Sequence, residues 1–119
     1  MSDFQKVELS HSTDGRPIKV TQTATAGNDI HTAQAGTGPD NYDEVWLWAV
    51  NTSGTNVLLT IEWGGVTSPD DLIEVDIAGH AGLALIVPGL IIQNSLVIQA
   101  FAATTAVINI LGYVNRITA

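Results

Sequence analysis

The chain of 119 residues contains no cysteine. Disulfides, thiolate zinc sites and a cysteine nucleophile are therefore excluded. Positive charge is also scarce. Four Lys and Arg stand against twelve Asp and Glu, for a formal net charge of −8 at pH 7. Four cations cannot line a surface that tracks a phosphate backbone, and anionic lipid repels so acidic a chain, so neither nucleic acid nor a membrane is an expected partner. Long apolar runs are missing as well. The longest, Ala81 to Ile92, is interrupted by Pro88 and Gly89, and a spanning helix needs about 20 residues. The opening MSDFQKVELS has no apolar stretch of the kind a secretory leader carries, so a soluble chain without a leader is expected. Helical periodicity is nearly absent.

What remains is rich in Thr, Val and Ile, residues that prefer a pleated surface. Apolar residues reach 45%, enough for one globular core, whereas charged residues are only 13%, about half the usual share. Some surface is therefore expected to face something other than water. Short stretches alternate apolar and polar, separated by turn residues. Ile18 and Val20 alternate with Lys19 and Thr21; Val57, Leu59, Ile61 and Trp63 alternate with Leu58, Thr60 and Glu62; Ile73, Val75 and Ile77 alternate with Glu74 and Asp76. The loops Gly36–Asn41, Asn51–Asn56 and Ser68–Asp71 punctuate them, with Gly54 the expected left-handed residue of the second. Eight to ten strands at such spacing predict a single-domain, all-β antiparallel sandwich or barrel over residues 17–119, preceded by an N-terminal arm or weak first strand over residues 1–16.

Three segments do not alternate. Val45–Val50, Leu83–Ile92 and Val107–Val114 are apolar on both faces. In a sandwich of this size most strands keep one face wet, so the second face has to be covered, either by the chain's own loops and arm or by a sister copy. The sister copy is the stronger expectation, because a small domain gains buried area that way. On that expectation the candidate interface residues are Trp46, Trp48, Leu85, Val87, Ile91, Leu111 and Tyr113.

Candidate chemistry is thin. His11, His31 and His80 fall in or near turns without the spacing of a metal-ligand set, and solvated loop histidines are expected. His11, Ser12 and Asp14 have the atoms of a hydrolase triad but are too close together in one loop to form it. Asp40, Asp43 and Glu44, and likewise Asp70 and Asp71, read as solvated loop acids and not as a calcium site or a glycosidase pair. Trp46, Trp48 and Trp63 could offer a sugar-stacking platform, although aromatic residues on a sandwich strand more often anchor a core or an interface. Asn51-Thr52-Ser53 matches a glycosylation sequon and is read here as turn chemistry. No catalytic, cofactor-binding or metal-binding residue is assigned.

The order of segments carries a resemblance. GRPIKV (Gly15–Val20), IHT (Ile30–Thr32), DEVWLWAVNTSG (Asp43–Gly54), LLTIEWGG (Leu58–Gly65), VPGL (Val87–Leu90) and INILGYVNRIT (Ile108–Thr118) together resemble the jelly-roll decoration, or cement, proteins of tailed-bacteriophage capsids. Other phage sandwich modules, from necks, tails or fibres, share much of this texture. The resemblance implies a jelly-roll-like fold and a non-enzymatic role on the capsid exterior. It also implies a homotrimer that clamps neighbouring copies of the major capsid protein, with an N-terminal arm reaching onto the shell or a neighbour.

Overall fold

The computed structural model describes residues 3–119; Met1 and Ser2, part of the expected arm, lie outside the described residues. Among the described residues there is no helix, and the regular structure is nine strands: β1 (Asp3–Glu8), β2 (Ile18–Val20), β3 (Asn28–Thr32), β4 (Tyr42–Asn51), β5 (Val57–Trp63), β6 (Leu72–Ile77), β7 (Ala84–Ile92), β8 (Val97–Ala102) and β9 (Ile108–Thr118). All pairings are antiparallel.

The strands form two sheets. One has the order β1-β9-β4-β7, with β2 also on β9; the other has the order β3-β8-β5-β6. Pairing runs from the outside of the sequence inward: β2 with β9, β3 with β8, β4 with β7, β5 with β6. That is a long antiparallel ribbon rolled into two layers, the jelly-roll arrangement of an antiparallel β-sandwich. Residues 3–8 are a real strand, paired with β9 from Asp3↔Thr118 to Glu8↔Tyr113, and β2 continues along the same neighbour from Ile18↔Ile110.

Alternation explains the core. β4 points Val45, Leu47 and Ala49 inward, where they meet Ile108, Ile110 and Val114 from β9, Leu59 and Ile61 from β5, and Ile98 and Ala100 from β8. Asn51 closes the β4–β5 turn. Its amide nitrogen donates to the carbonyls of Thr55 (2.7 Å) and Ile77 (2.9 Å), and its oxygen accepts from Ser53 N (2.9 Å). This is the turn chemistry expected of Asn51-Thr52-Ser53. Gly54, in contrast, is not left-handed; among the glycines, positive φ falls at positions 15, 36, 38, 64, 82 and 89. With Asn51 tying the loop together through its side chain, the turn needs no αL residue at position 54.

β7 departs from simple alternation. Its register against β4 shifts twice, between Val45/Trp46 and between Leu47/Trp48. Each shift adds one residue to β7, and each extra residue reverses which face the following side chains take. Leu85 therefore points out opposite Trp48, Val87 points in opposite Leu47, and Ile91 points out opposite Glu44. β7 is an edge strand, which is where Pro88 can sit without interrupting a central ladder.

Candidate functional site

The three doubly apolar segments become β4, β7 and β9, and these are neighbours in one sheet. Their outward side chains consequently merge into one patch. Cross-strand register sets Trp46 opposite Tyr113 and Trp48 opposite Leu111, with Leu85 and Ile91 on the β7 side. Leu85 and Ile91 are 50% and 56% exposed. Six of the seven candidate interface residues therefore share a face. Val87 does not. It is fully buried against Leu47 in the core, because the bulges turn it inward, and it is removed from the candidate interface.

The aromatic rings are ordered. Trp46 and Trp48 lie 6.3 Å apart with planes 21° from parallel, Trp46 and Tyr113 6.5 Å and 15°, Trp48 and Tyr113 6.0 Å and 29°. Three such similar separations make a triangle. A column would place its end rings twice as far apart as its neighbours. The rings are thus a patch on the sheet, each partly exposed. Gly89 makes room for it: a Cβ there would come within 3.0 Å of the Trp46 ring, and its φ of +82° suits glycine. Lys6 Nζ sits 4.7 Å from the centre of the Tyr113 ring, a cation–π contact from β1.

A polar rim borders the rings. Trp46 Nε1 donates to Glu44 Oε1 at 2.8 Å, and Asn115 Nδ2 donates to the same oxygen at 2.9 Å. These bonds favour the charged carboxylate and hold Glu44 below its ordinary pKa. Asn115 Oδ1 is buried and accepts no hydrogen bond.

Away from this face, His31 and Asp43 are committed to structure. His31 and Asp43, expected as solvated loop residues, are both fully buried. The Ser10 backbone N–H donates to His31 Nδ1 at 3.0 Å, which makes Nδ1 an acceptor and places the ring proton on Nε2. Nε2 then donates to Asp43 Oδ2 at 2.7 Å, while Arg116 Nε and Nη2 donate to the two Asp43 oxygens at 2.8 and 2.9 Å. Desolvation pushes the Asp43 carboxyl up; the hydrogen bonds from Arg116 and His31 and the charge of Arg116 outweigh it and bring the pKa down to about 2. The cluster ties β3 of one sheet to β4 and β9 of the other. The triad atoms do not assemble: His11 Nε2 is 3.0 Å from Thr32 Oγ1, and Ser12 Oγ donates to Leu9 O at 2.7 Å. Trp63 packs against the core, apart from the other two tryptophans. Among the described residues no three His, Asp or Glu side chains gather as a metal site.

Sequence pattern alone located the outward face but not the buried cluster. The signal was available only as two polar residues inside stretches that later prove to be strands. The site of greatest chemical content is thus the aromatic patch and its rim. Comparison with known protein families, characterised proteins and solved structures finds no match for this chain.

Proposed function

We propose that the chain is a non-enzymatic structural protein of a virion, a decoration or cement protein that assembles with copies of itself through the aromatic face and binds the outer surface of a capsid. The observation that carries this reading is the uncovered apolar face of β9, β4 and β7, centred on Trp46, Trp48 and Tyr113. Three strands about 4.8 Å apart and about ten residues long at about 3.3 Å each present on the order of 500 Å² in projection. A standard interface buries about 800 Å² per partner, so the face has the size of one contact surface. Asn115 Oδ1, buried without a donor, would gain one from the covering copy. The segment resemblance supplies the partner, the major capsid protein, and the trimeric number. Shell stabilisation follows from linkage: a protein that binds only the assembled shell favours assembly.

The mass of the chain in solution tests the first step. A particle of three times the 12.5 kDa chain mass is expected at micromolar concentration, and a lone protomer overturns the interface. Adding the protein to undecorated capsids tests the second. Bound copies and raised thermal or osmotic resistance are expected; an oligomer that neither binds nor protects overturns the cement role. A second reading, a carbohydrate-binding module, is favoured by the near-parallel ring patch with a carboxylate and an amide at its rim. Glycan-array binding by the full chain, lost in Trp48→Ala, would select it over the first.

A further inference from the structure

The chain's four basic side chains divide into two pairs. Arg116 grips Asp43 and Lys6 lies over Tyr113. The remaining two, Arg16 and Lys19, line the same cavity of about 280 Å³. The cavity opens where β9 passes from β1 to β2: β1 ends at Glu8↔Tyr113 and β2 begins at Ile18↔Ile110, leaving the Leu9–Pro17 loop to bridge the gap. Lys19 is paired with Asn109, and both alternate to the outer side, since Val20 and Ile108 on either flank are buried.

Two features make this cavity unusual. Its lining contains none of the chain's twelve carboxylates, although acids outnumber bases three to one. Neither of its cations is spent on the protein itself: among the described residues the ion pairs are His31–Asp43 and Arg116–Asp43. Residues with uncharged donors, Thr13 and Asn109, also line it. The Ser12 hydroxyl is already committed to Leu9 O. The loop is held in shape by backbone bonds from Ser12 N to Leu9 O and from Arg16 N to Thr13 O, both 2.9 Å. Two cations lining one cavity and unpaired with any carboxylate among the described residues, one a planar fork and one a point charge, suit a group carrying two negative oxygens.

We propose that this cavity binds a compact oxyanion, a phosphate or a carboxylate group, held between Arg16 and Lys19. The site shares the outer side of β9 with the aromatic face, Asn109 lying two residues from Leu111, but none of its lining residues is among the candidate interface residues. The surrounding charge of −8 repels anions at long range, so recognition comes from the short-range donors.

The test is a titration of the full chain with inorganic phosphate and, separately, with succinate, at constant ionic strength, followed by backbone amide NMR shifts. Saturable shifts confined to residues 11–19 and Asn109 are expected. The anion that saturates at lower concentration identifies the oxyanion source. Arg16→Gln and Lys19→Gln should each weaken binding by about tenfold or more, the loss expected for one charge-assisted hydrogen bond. Thr37→Glu, an exposed substitution in the β3–β4 loop that changes net charge by the same amount, should leave binding within about twofold. Shifts that never saturate with either anion overturn the site, as does saturation that Arg16→Gln and Lys19→Gln leave unchanged.

Discussion

On the four-stranded sheet, the outward carboxylate of Glu62 is fully buried because the β2–β3 segment folds over it: Thr25 Oγ1 donates to Oε2 at 2.6 Å and Gly27 N to Oε1 at 2.7 Å. The segment is fastened at its base as well, by Asn28 Oδ1 accepting from Thr21 N and Gln22 N, and by Gln22 O accepting from Ala102 N. Gly27 passes so close to β8 that a Cβ would collide with the Ala100 carbonyl. On the five-stranded sheet, Trp46, Trp48 and Tyr113 have mainly one another, Gly89 and Lys6. One outer face is covered by local chain at its Glu62 end, through polar contacts, while Leu58, Glu74 and Asp76 on it stay exposed. The other is left apolar and open. A protein that folds its own lid onto one sheet and not the other has its loops committed, and the open face is where a second molecule gains the most buried area.

The contrast depends first on the two layers staying joined. Asp43→Ala would strand His31 and Arg116 beside a buried gap and cost about 3–5 kcal/mol, read as a fall in the urea midpoint. That is the largest effect expected, and it would loosen both faces together. Glu62→Ala would open only the covered end of the four-stranded sheet. It removes the acceptor of the Gly27 N–H and should cost about 1.5–3 kcal/mol, with faster amide exchange confined to residues 21–29. If exchange there is unchanged, the segment is held by something other than Glu62.

Acid acts on the join with a definite sign. The Asp43 pKa is depressed from 3.8 to about 2 in the fold, so its stabilisation is complete above the unfolded value and disappears as pH falls through the folded one. Unfolding free energy should therefore drop by about 2 kcal/mol between roughly pH 4 and pH 2, a loss that Asp43→Ala should abolish. The smallest effect on the protomer is expected at the open face. Leu85→Lys replaces a side chain that is already half exposed, so protomer stability should stay within about 0.5 kcal/mol. Self-association should nonetheless weaken, read as a lower mass by sedimentation. A large loss of protomer stability instead would mean that the face is closed by its own chain.

How much of this was legible in the sequence follows from which interactions are local. Alternation in β4, β5 and β6 reads directly as inward and outward sides, and the doubly apolar stretches fall in β4, β7 and β9, neighbours in one sheet. Val87 misled because Leu85, Val87 and Ile91 share odd spacing, and only register against β4 reveals the extra residues between them. His31 and Asp43 read as loop residues because their partner Arg116 lies 73 positions beyond Asp43, and no local pattern announces an ion pair at that range. Thr21–Gly27 read as the end of a strand and a break. Its role as a lid depends on Glu62, which alternation places correctly but cannot connect to a distant loop. The basic cavity was invisible for the same reason, since Asn109 reaches Arg16 and Lys19 only through the β2–β9 pairing.

The position of β9 has a consequence for how the sheet closes. It is the last of the nine strands in chain order, yet it sits inside its sheet, between β1 and β2 on one side and β4 on the other. Until it arrives, β4 exposes a bare hydrogen-bonding edge and β1 has no partner. Closing the five-stranded sheet therefore waits for β9, and a chain cut before Ile108 would keep the β4 edge bare.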